Sequence, residues 1–595
     1  MFIKISRSEE LNYLQQFSWP NVNLVPEVEL YGRTNEFAKI SLNANGVNFQ
    51  SNGSLLTDTF FNSLSVGVWK KHTDISNLQF IVEGNGNFLI QFGLHRLGHA
   101  HRWLHETEVA LEHQERIIDL PFWECLEDGM LYFKIIALSD GFITNGGYVT
   151  SEKPIHDVKL GIVITHFNRK QYVVPAMKRI QEQLIFDNRF TNNIDLIVVD
   201  NSQNITSDES HGATIIPNLN LGGSGGFTRG LLHLKDNATY THCLFMDDDA
   251  SCEIESIRRA YVFLQYTKVE KTAVAGSLLR EVEPYRLFEK GGYFSKVGQP
   301  IKSGFDMRSI NDLLLADHND TKPNYGAWWF FAFKISDVNH YAFPFFVRGD
   351  DILFSLLNKF SIVTNNGITC WGEDFSVKDG PIPRYLDTRQ IILQRLRQEK
   401  ISSLSTVLFV CKLFSSALFS YNYASAKAVT FGLNHVMIGP KFWTENMDMS
   451  KIRPLIGSFT PAEKMEKVDL ANISAIRADY DESALKKIIR IITLNGFLLP
   501  SFCIKDDIVY QEKSFRAWFR ALFLHKKVLY YYEPSGLGYI AEHNKKLFFK
   551  ELFSFGWQSM RFIFKYNKLK KEYQEALPYL TSEEFWREVY KGELK

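Results

Sequence analysis

The sequence predicts an α/β, Rossmann-like core flanked by an amino-terminal β-sandwich and a mainly helical carboxy-terminal region. Three observations predict it. Apolar runs at residues 160–165, 194–199 and 241–246 alternate with amphipathic or glycine-rich stretches, the rhythm of a parallel sheet with crossover helices. Before residue 150 the runs alternate apolar with polar residues and break at Gly and Asn, and beyond about residue 395 the composition turns helical and apolar. The expected parts are therefore 1–150, 155–395 and 396–595, and 595 residues exceed what one core supports.

Composition narrows the function. With 67 basic and 67 acidic residues there is no charge argument for nucleic acid. Six cysteines without a CxxC pair make neither a disulfide framework nor a zinc site, and they fit a reducing compartment. The first residues turn polar at Lys4 with no signal-peptide apolar core, so a cytoplasmic location is expected.

Residues 80–92 read as an antiparallel hairpin. His95, His99, His101 and His105 follow closely, but they are interleaved with Arg96, Arg102 and Trp103 and read as a polar sheet face or loop. Residues 150–154 look like a linker. The strand at 160–165 leads into His166-Phe167-Asn168-Arg169 and an amphipathic stretch from Tyr172 to Leu184; the next strand ends in Asp200-Asn201-Ser202. In open α/β sheets the carboxyl ends of strands meet ligands. There Asp200 suits a uracil or ribose, and Arg169 a diphosphate; taken singly, each also reads as a turn former or surface charge.

Residues 218–230 place Gly222, Gly223, Gly225 and Gly226 within five positions, which lets backbone approach a ligand and enter a helix whose amino end favours phosphate. Neither GxGxxG nor a Walker ending is present, so a flexible loop is the plain alternative. Phe245-Met246-Asp247-Asp248-Asp249 closes the next strand. Asp247 and Asp249 point the same way from an extended segment and can share one divalent ion, whereas Asp248 points away. A solvated acidic turn with Asp249 capping the helix near Ile254 is the alternative. A second pair, Asp350-Asp351, precedes an apolar helix through Leu357, and caps are again the plain reading. Trp328, Trp329 and Trp371 offer flat faces for a sugar, although most aromatics are core.

Taken in order, residues 164–169, 199–202, 220–230 and 246–249 resemble the motifs of inverting GT-A glycosyltransferases of family 2, most closely the bacterial galactofuranosyltransferases that polymerise mycobacterial galactan. The resemblance continues through residues 276–279, 291–293, 324–330 and 345–351. It implies that Thr165, Phe167, Arg169 and Asp200, with Gly223, Gly225, Gly226 and Asp248, surround UDP-galactofuranose. It further implies that Asp247 and Asp249 hold Mn²⁺ or Mg²⁺, that Trp328, Trp329 and Asp350 meet the acceptor, and that Asp351 is the general base. The partners so implied are the nucleotide sugar and a glycan acceptor of O-antigen or galactan type, lipid-linked, with homo-oligomerisation open. Two departures stand out: Gly372 follows Trp371 where those relatives supply a metal-binding histidine, leaving Glu373 or Asp374 as substitutes, and Gly349 replaces a tryptophan. The alternatives are a family 2 transferase using another UDP-sugar, or a catalytically degenerate glycan-binding scaffold.

Residues 404–423 are apolar, but Lys412 and four serines favour a buried helix over a membrane span. Residues 545–571 interleave aromatics with lysines, which suits either an anionic membrane surface or ordinary packing.

Overall fold

The computed structural model describes residues 11–592 apart from 22, 23, 25, 26, 43, 44, 250, 319, 479, 480, 515 and 516. Two compact units emerge. The first comprises Met1–Leu219, Gly226–Asn339 and Phe354–Gly372, the second Asn220–Gly225, His340–Leu353 and Glu373–Lys595.

Among the described residues, the amino-terminal part of the first unit is one connected antiparallel sheet of eleven strands. Gln79–His95 is its spine. At 17 residues this strand is long enough to pair with Gly141–Thr150 and Arg116–Asp119 along its first half and with Met130–Ala137 and Arg102–Glu112 along its second. Period-two alternation turns Phe80, Phe92, Phe133 and Tyr148 inward, where their rings meet at 4.7–6.3 Å between centroids. His95 stacks on Tyr132 and lies 3.3 Å from the Asp58 carboxylate.

The same unit holds a seven-stranded sheet. In chain order the strands and the helices between them are β1 (Leu160–His166), α1 (Lys170–Ile180), β2 (Ile194–Asp200), β3 (Thr214–Pro217), α2 (Gly222–Asp236, of which Gly222–Gly225 belong to the second unit), β4 (His242–Asp247), α3 (Ile254–Tyr266), β5 (Thr272–Ala275), β6 (Phe331–Lys334), α4 (Asp350–Asn358, of which Asp350–Leu353 belong to the second unit) and β7 (Ser361–Val363). The strand order is β3-β2-β1-β4-β6-β5-β7. Strands β3, β2, β1 and β4 are parallel, and β6 runs against both its neighbours. Burial along β1 and β2 is nearly continuous, as in a sheet covered on both faces. Register aligns Thr165 with Val199 and Asp247, and His166 with Asp200. Because strand order reverses at β1, the carboxyl ends of β1, β2 and β4 flank a topological switch point, where open α/β sheets bind ligands.

The helices of the second unit include α5 (Pro381–Arg397), α6 (Ser403–Leu418), the helix Tyr423–Val436, α7 (Ala484–Ile492), α8 (Lys545–Leu580) and α9 (Glu583–Lys591). Helix outweighs strand in this region, but a sheet is set into it. Five strands between Glu466 and Glu542 form a mixed sheet. Its central members, Lys505–Glu512 and His525–Tyr532, are rich in valine and tyrosine, residues that favour a pleated surface over a helix. Among the described residues, no helix is long and apolar enough to cross a membrane.

Candidate active site

In the first unit the strand ends gather most of the residues expected around a nucleotide. His166 is fully buried between the Asp248 carboxylate, 3.3 Å from Nδ1, and the Asn204 side-chain oxygen, 3.1 Å from Nε2. Burial disfavours the charged ring, but these bonds outweigh it and raise the His166 pKa above its ordinary value. Asp248 also accepts from the Phe167 backbone N–H at 3.2 Å, so it stitches β4 to the loop after β1. Arg169 pairs with Asp249 and lies 3.5 Å from Asp248.

Asp200 is 1% exposed, and its two oxygens accept four backbone N–H groups, from Ser202, Gln203, Asn204 and Ile205, at 2.8–2.9 Å. Four bonds saturate a carboxylate. Its direct effect is to shape the loop after β2.

The glycines of α2 serve close packing. A Cβ on Gly226 would lie 2.2 Å from Thr165 Cγ2, and one on Gly230 would lie 2.3 Å from Val163 Cγ1, so one face of the helix rests directly on β1. Thr165 Oγ1 is buried without a hydrogen-bond partner, a state that costs roughly 1–3 kcal/mol unless something completes it. Trp328 is 5% exposed among Phe227, Phe245 and Phe354, with ring centroids 5.0–5.5 Å away. Trp329, half-buried, donates its indole N–H to the Gly276 carbonyl at 3.0 Å and is the member of the pair with exposed surface. Trp371 is core, 1% exposed, and donates to the Pro284 carbonyl.

Asp247 and Asp249 offer hard oxygen donors of the kind Mg²⁺ and Mn²⁺ take. Among the described residues no group of three or more His, Cys, Asp or Glu is arranged to hold an ion. Burial foremost, then the neighbouring Cys252 and the Asp247 and Asp249 charges, push the Cys370 thiol well above its usual range, so it stays protonated. Two carboxylates suffice for an ion that takes its remaining ligands from water and substrate phosphates, and the donor set fits that description. In the second unit Glu373 pairs with Lys378 at 3.2 Å. The Asp374 carbonyl accepts from the Val377 N–H at 3.2 Å, closing a short helical turn.

The second unit carries the acid pair at the start of α4. The loop before it is strained: Phe346, Arg348 and Gly349 have φ of 77°, 68° and 88°. A side chain in that region costs about 1–2 kcal/mol per residue, and such strain persists only where neighbours impose it. Helix α5 imposes it here. Arg348 Nη1 reaches both Asp387 oxygens at 2.8 and 2.9 Å, and Arg389 donates to the Phe345 carbonyl at 2.9 Å. A Cβ at position 349 would lie 2.7 Å from Gln390 Cβ, so glycine there answers both a positive φ and a close approach.

Asp350 is 6% exposed and accepts the Ser224 hydroxyl at 3.1 Å. Asp351 is half-buried and its Oδ1 accepts the Ile352 N–H at 2.8 Å. Burial, then the Asp351 charge, raise Asp350 above the carboxylate range; burial raises Asp351 as well, against backbone hydrogen bonds and the Arg348 charge. Ser224 also donates its N–H to the Phe346 carbonyl at 3.1 Å, and Gly222 packs so tightly that its Cβ would lie 2.1 Å from that same oxygen. A Cβ on Gly225 would lie 2.3 Å from Leu221 Cβ, while Gly223 stays half-exposed. Ser224, Arg348, Asp387 and Arg389 escape a sequence reading. Only Ser224, inside the glycine run, carries a local signal.

No family model matches the chain. It is 21% identical over 585 residues to the galactofuranosyltransferase GlfT2 of Mycolicibacterium smegmatis, covering 89% of this chain and 88% of that protein. To the galactofuranosyltransferase GlfT2 of Mycobacterium tuberculosis it is 23% identical over 360 residues, 54% of this chain and 55% of that protein. Among solved structures, glucosyl-3-phosphoglycerate synthase from Mycobacterium tuberculosis matches 40% of this chain and 78% of its own at 13% identity and a TM-score of 0.25, too loose to establish a shared fold. The similarity across nearly the whole sequence is what identifies it: this chain is a glycosyltransferase, similar to the galactofuranosyltransferases of mycobacteria.

Proposed function

We propose that the chain transfers galactofuranose from UDP-galactofuranose to a hydroxyl of a lipid-linked, cell-surface glycan of O-antigen or galactan type, in one inverting displacement. Similarity over 89% of the chain to a galactofuranosyltransferase is the observation that carries the donor assignment. The acceptor hydroxyl attacks the anomeric carbon as the bond to UDP breaks, and its proton passes to a carboxylate. Asp351 is assigned that role over Asp350, since Asp350 is buried on Ser224 while Asp351 keeps exposed surface. A carboxyl raised above its usual range suits general-base work near neutral pH.

On the donor side Thr165, Phe167, Arg169 and Asp248 contact uridine and diphosphate, with Asp200 acting through the loop it shapes and Gly223, Gly225 and Gly226 through backbone approach. Asp247 and Asp249 would hold Mn²⁺ or Mg²⁺, which would offset the charge building on departing UDP. Arg169, paired with Asp249 here, turns to the diphosphate when the donor arrives. Trp329 meets the acceptor sugar, backed by Trp328 and aided by Asp350. Product analysis by NMR with a panel of UDP-sugars and short synthetic acceptors tests the reading. A clear preference for UDP-galactopyranose or UDP-glucose overturns the donor. In Asp351→Asn, turnover should fall by about 10²–10⁴ while UDP binding persists; undiminished turnover removes the base.

Peripheral contact with an anionic membrane, on the cytoplasmic side, belongs to the same proposal. Helix α8 buries Phe548, Phe555, Phe562, Tyr566 and Leu569 along one stripe. The opposite stripe leaves Phe553, Trp557, Met560 and Phe564 exposed by 72, 60, 50 and 87%. Lys546, Lys550, Arg561 and Lys565 flank it, and this pairing of aromatic and cationic side chains suits the headgroup region.

A further inference from the structure

We propose that Tyr590 of α9 positions the glycine turn that supports the acid pair, making α9 a working part of the active site. The inference rests on the assignment of Asp351 as general base. Helix α9 begins at the Ser582 cap, whose hydroxyl oxygen accepts the Phe585 N–H at 3.1 Å, and it buries Phe585 and Trp586 completely. Its footing is the segment that leads into the strained loop. The Trp586 indole N–H donates to the Ala342 carbonyl at 2.7 Å, the Tyr341 N–H donates to the Thr581 carbonyl at 2.7 Å, and the Tyr341 hydroxyl donates to Glu583 at 3.1 Å.

One turn beyond Trp586, Tyr590 stacks on its ring with centroids 5.6 Å apart and donates its hydroxyl to the Gly225 carbonyl at 2.5 Å. Gly225 directly follows Ser224, whose hydroxyl donates to Asp350 and whose N–H donates to Phe346. A closed circuit results: α9 holds the entry to the acid loop through Ala342, the glycine turn through Gly225, and the turn holds the acid pair through Ser224.

Such a circuit answers a specific weakness of the turn. Glycine has the largest backbone freedom of any residue, and here bulkier side chains are barred, since a Cβ on Gly225 would meet Leu221 and one on Gly222 would meet Phe346. The turn therefore draws little stiffness from its own sequence. A hydrogen bond from a ring clamped by Trp586 supplies it, and so fixes where the Ser224 hydroxyl points. That hydroxyl is the neutral donor satisfying a buried carboxylate beside the base, and small errors in its placement change how the pair shares its charge. Tyr590 touches neither substrate nor base, so it is a positioning residue.

The test uses the full chain, the UDP-sugar selected by the donor panel, and the variants Tyr590→Phe, Ser224→Ala, their combination and Asp351→Asn, together with controls. Tyr590→Phe keeps the stacked ring and deletes one hydroxyl. Its kcat should fall about five- to tenfold, the worth of one hydrogen bond, with the unfolding midpoint within about 2 °C of the parent. Added to Ser224→Ala, it should have no further effect on kcat, because the two act through one bond. An unchanged kcat in Tyr590→Phe, or effects that multiply in the double variant, overturns the proposal. Tyr341→Phe is the structural control: it loses the Glu583 bond and leaves Trp586, Tyr590 and Gly225 in place, so its effect should multiply with that of Ser224→Ala. Should Tyr590→Phe fail to fold, Trp586→Phe decides the matter, because it loosens the stack that holds Tyr590: combined with Ser224→Ala its effect should be less than multiplicative, and full multiplication overturns the proposal. If Asp351→Asn keeps turnover, the base assignment has failed; if it is inactive while Tyr590→Phe is fully active, only the role of Tyr590 has.

Discussion

Replacing Asp350 by Asn removes a buried charge while keeping the shape of the side chain and an oxygen for the Ser224 hydroxyl to bond. In the folded chain burial and the Asp351 charge raise the Asp350 pKa, so between the unfolded and folded values the native state binds more protons than the unfolded one. Stability contributed by this group is therefore present at low pH and lost as pH rises through the folded value. Each unit of elevation costs about 1.4 kcal/mol once the group must ionise. A carboxyl 6% exposed with one neutral side-chain donor lies well above one unit. Against that, the amide of Asn faces backbone N–H groups that now help the carboxylate, a mismatch of about 1–2 kcal/mol. The net gain for Asp350→Asn at pH 8.5 is about 2 kcal/mol, which raises the melting midpoint of a unit this size by about 4–8 °C. At pH 5.5, where the native carboxyl is protonated, the gain should vanish or change sign. Thermal unfolding followed by circular dichroism at both pH values is the assay. A midpoint difference that is the same at the two, or a parent that gains on the variant as pH rises, refutes the reasoning.

Three further outcomes follow from the same geometry. Gly226→Ala places a methyl 2.2 Å from Thr165 Cγ2, and forcing α2 off β1 should cost about 1–3 kcal/mol by denaturant unfolding and weaken UDP binding in titration calorimetry. Because no third acidic or histidine ligand accompanies Asp247 and Asp249 among the described residues, EDTA should abolish turnover, and metal binding measured by calorimetry should strengthen at least tenfold when UDP is present; equal affinity with and without UDP contradicts a shared site. Replacing Phe553, Trp557 and Phe564 by Ser should release the chain from vesicles containing phosphatidylglycerol in a sedimentation assay without changing the rate on a short soluble acceptor. Retention on the vesicles counts against the α8 surface, and a loss of self-association instead would mark it as a contact between copies.

Much of the donor side was legible because it is local. Strands β1, β2 and β4 declare themselves as continuous apolar runs, and each ends on the acid or loop that the spacing leads one to expect. What the glycines do there was not legible. Their number suggests a phosphate cradle, yet Gly226 and Gly230 are set against Thr165 and Val163, contacts that depend on how α2 crosses β1. The amino-terminal region showed its strands, but the length of Gln79–His95 and its partners decided how they layer. Strand signals in residues 505–532 were short and set among helices, and only pairing made them a sheet.

By itself the sequence determined the order of motifs, the parallel core and the identities of the two acidic clusters, since periodicity and strand-end chemistry are written in neighbouring residues. Tertiary structure alone decided which members of each cluster are committed to other partners. It put Trp328 in the core and left Trp329 at the surface, saturated Asp200 with backbone N–H groups, and bonded Asp350 to a serine 126 positions away. It also explained Gly349 through the positive φ that α5 imposes and tied Tyr590 to a carbonyl 365 residues earlier. Burial and hydrogen-bond saturation depend on contacts between distant parts of the chain, and they decide whether an acidic or aromatic side chain is free to do chemistry.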